Sequence, residues 1–395
     1  MDEDMVVDED LEENQKKRKR DSFEVDLPQI GYVYDEALGN ESSKLPNVSG
    51  RAAVVHSLIE VYDLLRNVTV YKCIPATEEE LCNFHSSDYI SYLKDINKMY
   101  TPDDDVELEY GLGYDCPPLD GIYDYCSAIA GSTLTAARAL VRNEVEIAIN
   151  WCGGWHHGQR YEAEGFCYVN DVILGILELR TYYDHILYID LDVHHGNGVE
   201  TCFEFTKRVF TLSVHQYEPG FYPGTGKTCD IGFGLGSHHC LNVPFREGIK
   251  DGNYCQVFQR VLNEISKAYS MDAVVVQCGA DGLSGDPLGG FNLTEKAYGY
   301  CLKQIIKLKK PTLVLGGGGY NNANSARCWT YLTSVLIGVE LSPDIPEHEY
   351  FSLYGPSFEL GITPGNRKDL NDKEYLEKML ADISENLKAL YDSRL

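Results

Sequence analysis

The sequence predicts an α/β protein: a single domain on an open, mostly parallel β-sheet, with helices on both faces and long loops at one end. Two observations carry this prediction. Short apolar runs alternate with helix-period patterns along most of the chain, and several of the runs end in clusters of polar and glycine-rich sequence. Ligands of open parallel sheets bind beyond the C-terminal ends of the strands, so the clusters and the fold class support each other.

Composition bounds the partners. The chain has 395 residues, 44% of them hydrophobic, and can bury a large core. Its formal charge of −27 opposes direct contact with nucleic acid. That charge suits Lys/Arg-rich protein tails, although a solvated acidic face is the plainer explanation. The thirteen cysteines are odd in number and include no Cys-x-x-Cys pair, which fits reduced thiols rather than disulfides or a cysteine zinc knuckle. The N-terminus is acidic, and no run nears the about eighteen apolar residues of a membrane span, so neither signal peptide nor membrane partner is expected.

Residues 1–26 read as a disordered tail, acidic from Met1 to Glu13 and basic over Lys16-Lys17-Arg18-Lys19-Arg20. The basic pentad reads equally well as a nuclear import signal or as charge balance. Residues 27–395 form the predicted folded domain. The run 147–150 leads into Trp151-Cys-Gly-Gly-Trp155-His156-His157-Gly158, and 186–189 leads into Asp190-Leu-Asp192-Val-His194-His195-Gly196. The runs 209–214, 273–277 and 312–315 lead into His215, Cys278-Gly-Ala-Asp281 and Gly316-Gly-Gly-Gly-Tyr320. Helical patterns over 127–141, 172–179, 254–268 and 294–307 separate them.

Asp192 and His194 alternate by two, so on a continuing strand they leave one face. Asp281 is the candidate third ligand, completing an Asp2His set with open positions for a water and a substrate oxygen. No further acidic or histidine ligand follows His195 closely, since Gly196 and Asn197 come next, so one catalytic metal is expected. Zinc is expected, with Fe(II) suited by the same donors. His156 and His157 read as a general acid/base pair, as metal ligands or as loop residues. Asp190 and Asn197 favour the first, because they provide polar partners for the imidazole N–H groups. Tyr320 is either a buried core tyrosine or, opposite a metal, an oxyanion donor. Trp155, Phe166 and Tyr222, with Asp115, read as core aromatics or as a narrow apolar tube with a polar rim.

These blocks resemble the class I histone deacetylases, among the zinc-dependent lysine deacetylases. The likeness runs from Gly31 to Pro364 and rests on Asn150-Trp-Cys-Gly-Gly-Trp-His-His157, Gly165-Phe-Cys-Tyr-Val-Asn-Asp171, Asp190-Leu-Asp-Val-His-His-Gly196, Pro219-Gly-Phe-Tyr-Pro-Gly-Thr-Gly226 and Gly316-Gly-Gly-Gly-Tyr320. Glu109-Tyr-Gly-Leu-Gly-Tyr-Asp-Cys116, Gly285-Asp-Pro287 and Ala323-Asn-Ser-Ala-Arg-Cys-Trp-Thr-Tyr331 are more similar to the type-8 members than to types 1–3. The resemblance implies the arginase/deacetylase fold and hydrolysis of N-ε-acetyl-lysine, with longer acyl chains open. It puts zinc on Asp192, His194 and Asp281, makes His157 the base and then the acid, and makes His156 an electrostatic partner held by Asp190. Tyr320 would stabilise the oxyanion. Phe166 and Tyr222 would flank the acyl-lysine stem, with Gly165 behind it, Asp115 gripping the substrate backbone, and Trp155 and Leu288 also in contact. Arg51 and Tyr32 would line an internal cavity.

The resemblance further implies two structural potassium ions. Asp190, Asp192, His194, Ser213 and Val214 match one site; Phe203, Thr206, Val209 and His239 match the other, where position 239 is usually aromatic. The implied substrates are acetylated histone tails and other nuclear proteins such as cohesin subunits. The implied location is the nucleus, with the cytoplasm as a second one, and the implied role is repression of transcription at chromatin. An acetylpolyamine or other small-amide hydrolase shares the fold and metal, and an inactive acyl-lysine-binding scaffold is the non-enzyme alternative. Asp115 and the class I blocks favour proteins over polyamines, and intact Tyr320, dyad and ligands favour an enzyme.

Leu288 stands where type-8 members usually have Met. Asn197 stands where class I members usually have Asp. A neutral amide stabilises an imidazolium less than a carboxylate does, so His157 should be less basic here. The acid limb of the kcat/KM profile should therefore lie at lower pH in this chain than in Asn197→Asp; superimposed limbs would refute this.

Overall fold

The structure is a computed structural model that describes residues 28–96 and 108–392. The basic pentad and the rest of the 1–26 segment lie outside the described residues. Eight strands form one sheet: β1 (Ile30–Val33), β2 (Thr69–Tyr71), β3 (Ile147–Asn150), β4 (Ile186–Asp190), β5 (Val209–Gln216), β6 (Cys240–Phe245), β7 (Ala273–Gln277) and β8 (Thr312–Leu315). Their order is β2-β1-β3-β8-β7-β4-β5-β6, and every pairing is parallel.

Side-chain alternation divides the core into two layers. Ile147, Ile149, Leu187, Ile189, Leu212, Val274, Val276 and Val314 meet the helices Arg51–Val61, Asp251–Ala268, Glu295–Ile306 and Asn322–Ile337 on one face. Ala148, Ile186, Tyr188, Val275, Leu313 and Leu315 meet Ile122–Val141 and Asp171–Leu179 on the other. Strands buried on both faces have to be apolar at nearly every position, which is why these runs read so clearly in the sequence. Among the described residues no helix is long and apolar enough to cross a membrane.

Three strands have no clear signal in the sequence, each for a physical reason. β2 is only three residues long, and β1 carries Gly31. β6 contains Pro244, normally a strand breaker, but it lies at the sheet edge, where a missing N–H can face away from the ladder. β4 also stops at Asp190 instead of continuing through His194. The Asp190 carboxylate accepts from Asp192 N at 3.1 Å and the Asp192 carboxylate from His194 N at 3.0 Å, so the chain turns.

The strand order reverses where it matters for function. The chain runs outward through β4, β5 and β6, then returns to place β7 and β8 between β4 and β3. The crevice of such a sheet opens at this reversal, above the C-terminal ends of β3, β8, β7 and β4. Leu187 is fully buried in β4. Leu187→Ala should destabilise the fold by about 2–5 kcal/mol in urea unfolding, and a smaller cost would mean the core closes around the gap.

Candidate active site

Parallel pairing of β4 with β7 sets Asp190 opposite Gln277, so the loops leaving these strands start side by side. Asp192, His194 and Asp281 meet there, with one potential ligand atom from each lying within 4.8 Å of the others. His194 Nδ1 is 3.1 Å from Asp192 Oδ1 and 3.0 Å from Asp281 Oδ2. All three side chains are buried.

The surroundings hold the two carboxylates in place. Asp192 Oδ2 accepts from Gln277 Nε2 and from Gly318 N, both at 2.9 Å, and Asp281 Oδ1 accepts from Val193 N at 2.9 Å. The backbone can come this close only as glycine: a Cβ on Gly279 would lie 2.0 Å from Asp192 Oδ2, and one on Gly318 2.0 Å from Asp281 Oδ2.

The electrostatics of the bare cluster fit a divalent cation. Burial and the Asp192 charge push Asp281 up to about 7. Burial alone would lower His194, but its bonds to Asp192 and Asp281 push it up to about 10. Two buried carboxylates this close need a proton or a metal between them. Two oxygens and an imidazole nitrogen match zinc, and equally Fe(II).

Next to this cluster stand the two histidines of the β3 loop. His156 Nδ1 is 2.7 Å from Asp190 Oδ2, and His157 Nδ1 is 2.7 Å from Asn197 Oδ1. Their Nε2 atoms converge at 3.0 Å, and His156 Nε2 lies 4.0 Å from Asp192 Oδ1. Burial alone would lower His156, yet Asp190 and then Asp192 outweigh it and push the imidazole up to about 9. His157 has only a neutral partner, and burial, then His156 and His194, hold it well below the ordinary value. Asp190 thus favours the charged form of His156, while burial favours the neutral form of His157.

Residues to which the sequence motifs gave no role of their own shape this loop. Asp171 accepts from Gly154 N at 2.9 Å and Trp155 N at 2.8 Å, while Asn170 Nδ2 donates to the carbonyls of His156 and Gly158, each at 3.0 Å. Tyr188 OH donates to Asp190 Oδ2 at 2.6 Å. Buried Asp286 receives Tyr320 N at 2.7 Å and Leu288 N at 2.9 Å, which ties the β8 loop to the rim. Burial and the Asp281 and Asp192 charges hold the Tyr320 phenol well above its usual pKa, so it stays a donor.

The other predicted residues fall into three groups. At the rim, Phe166 packs edge-on to Tyr320 with ring centroids 5.7 Å apart, and Tyr222 edge-on to His157 at 5.0 Å. Asp115 accepts from Gly165 N through one oxygen at 3.0 Å, and Leu288 is exposed. Trp155 is buried, its indole donating to Cys152 O at 3.0 Å and lying under Arg51. Arg51 and Tyr32 line one narrow cavity with Trp151 and Trp329, and Arg51 donates to Gly319 O at 2.8 Å. The residues expected to bind potassium stand in two places. Ser213 pairs with Asp190 across β5 and β4, whereas Val209 opens β5 with Phe203 and Thr206 just before it, and His239 directly precedes β6.

Gly318→Ala should leave far-UV circular dichroism unchanged while the metal content falls well below that of the parent, measured by elemental analysis. Full metal content would mean that the Asp281 carboxylate can shift to accept the methyl.

Residues 45–336 match the histone deacetylase domain. Histone deacetylase 8 of Xenopus tropicalis is 49% identical over 355 residues, covering 90% of this chain and 95% of that protein. Histone deacetylase 8 of Danio rerio is 48% identical over 359 residues, covering 91% and 95%. Histone deacetylase RPD3 of Saccharomyces cerevisiae is 42% identical over 369 residues, covering 92% and 84%. A domain match over most of the folded chain, with relatives aligned along nearly all of it, identifies the molecule: the chain belongs to the histone deacetylase family.

Proposed function

We propose that this deacetylase hydrolyses the ε-acetamide of lysine side chains with zinc held by Asp192, His194 and Asp281, His157 as proton carrier and Tyr320 as oxyanion donor. The observation that carries the reading is the junction of the buried Asp192-His194-Asp281 cluster with two imidazole Nε2 atoms converging beside it. Bound zinc would polarise the acyl carbonyl and acidify water.

The protein's own groups do the rest. The acyl-lysine stem enters between Phe166 and Tyr222, past Gly165, while the free oxygen of Asp115 takes a backbone N–H of the substrate. His157 is neutral, so its Nε2 can accept the proton of the attacking water. His156 stays charged through Asp190 and stabilises the negative charge that develops on the former carbonyl oxygen. The Tyr320 hydroxyl donates to the same oxygen. His157 then passes its proton to the lysine nitrogen as the C–N bond breaks, releasing acetate and the free amine. Arg51, a buried cation beyond the site, offers acetate a counter-charge.

The proposed substrates are acetylated histone tails and other nuclear proteins, cohesin subunits among them; an acidic chain of −27 favours such cationic segments. The proposed location is the nucleus, with the cytoplasm as a second site. The Ser213 and His239 sets are proposed to bind potassium.

Acetate release from an acetyl-lysine peptide should disappear in Asp281→Ala and fall by about 10²–10³ in Tyr320→Phe. Faster turnover of acetyl-spermidine than of the peptide would replace the protein substrate with a polyamine. Full activity of Asp281→Ala would end the metal reading.

A further inference from the structure

We infer that Glu164 is a positioning residue for the reaction: it orients the Asn197 amide, and through it sets which nitrogen of His157 carries the proton. The inference rests on the proposed role of His157. Its starting point is a problem of direction. An amide offers an acceptor oxygen and a donor nitrogen of nearly the same shape, so Asn197 could present either one to His157. With its oxygen toward the ring, His157 is protonated at Nδ1 and carries its lone pair on Nε2. With its nitrogen toward the ring, the tautomer reverses and the Nε2 lone pair is lost. A carboxylate at position 197 would have no such ambiguity.

Glu164 removes it. A carboxylate accepts only, so each partner that faces it must donate. Asn197 Nδ2 lies 2.9 Å from Glu164 Oε1, which turns Asn197 Oδ1 toward His157 Nδ1 at 2.7 Å. The proton on His157 is thereby directed to Nδ1. His156 Nε2, 3.0 Å from His157 Nε2, then meets a lone pair.

The carboxylate is itself held firmly. Gln159 Nε2 donates to Glu164 Oε2 at 2.7 Å and to His157 O at 3.1 Å, and Tyr222 OH donates to Glu164 Oε1 at 2.9 Å. The backbone is locked as well. Glu164 and Cys167 exchange two hydrogen bonds, of 3.1 and 2.9 Å, around Gly165 (φ +57°) and Phe166 (φ +65°). Two consecutive positive φ angles between such bonds make a tight turn of the I′ kind. Phe166 at its tip, Tyr222 bound to the Glu164 carboxylate, and the Asn197-His157 pair are thus linked through one residue. The negative charge needed to orient the base has been moved one group outward, from position 197 to position 164.

This arrangement predicts a change of sign. In the parent, Glu164→Gln replaces an acceptor-only group by one that accepts or donates, so the Asn197 amide can turn over. Its kcat on an acetyl-lysine peptide should fall about tenfold, with KM little changed because Tyr222 keeps an acceptor. In an Asn197→Asp background the same substitution should raise kcat, because it replaces two carboxylates in contact with a donor–acceptor pair. The zinc-loaded protein should show 15N shifts of His157 with Nδ1 protonated in the parent and a mixture of tautomers in Glu164→Gln. An equal effect of Glu164→Gln in both backgrounds, or an unchanged His157 tautomer, overturns the inference. His157→Ala separates the two levels: if that variant keeps parental activity, the assignment of His157 as base fails, whereas an inactive His157→Ala without the inversion rejects Glu164 alone.

Discussion

Two carboxylates and an imidazole share a buried space too small for two free negative charges, and much of the structure follows from making that tolerable. An unpaired buried carboxylate costs several kcal/mol or more, so it persists only where fixed dipoles and a counter-charge surround it. Gly318 N, Gln277 Nε2 and Val193 N supply the dipoles, aimed from the loops after β8, β7 and β4. Glycines 279 and 318 let those loops come into contact. The parallel sheet is the scaffold that makes this possible, because its loops leave in one direction and meet at the reversal of strand order.

Around this cluster the hydrogen bonds have a consistent polarity. Groups that only accept stand at the outer ends, Asp190 behind His156 and Glu164 behind Asn197, and the donors point back at them. The two imidazoles therefore differ although they are adjacent in sequence and similarly buried. One borders directly on a carboxylate, which favours its charged form; the other borders on an amide, and its burial favours the neutral form. A charged and a neutral imidazole side by side supply, in the proposed mechanism, both a stabiliser of negative charge and a proton acceptor.

The legible parts of the sequence were those with short-range rules. β3, β4, β5, β7 and β8 are buried on both faces, so apolar runs mark them; β5 continues two residues further because β6 pairs with it at His215 and Gln216. β6 and β2 lie at the edges of the sheet, where a proline or a very short strand suffices, and nothing in their sequence marks them. In the site, Asp192, His194, the two histidines and Tyr320 stand in compact motifs at strand ends. Asp171 and Asp286 stand inside motifs that give them no role, and Gln277 and Glu164 stand outside them, because each acts by accepting or donating one or two hydrogen bonds to a loop distant in sequence, and such partners have no fixed spacing. The alternation of Asp192 and His194 pointed to the right pair for an incomplete reason: the two converge through a turn made by the carboxylates themselves.

What the sequence determined by itself was therefore the chemistry available: which residue types gather at strand ends, and that an Asp2His set with two histidines and a tyrosine stands among them. Burial periodicity and donor type are local properties, readable from the chain. The tertiary structure alone decided how those groups are directed toward one another. It buried Trp155 under Arg51, joined Arg51 and Tyr32 in one cavity, and brought Glu164 against Asn197. Orientation of an amide or a tautomer depends on the neighbour at the far end of a hydrogen bond, and that neighbour arrives only when the loops fold together.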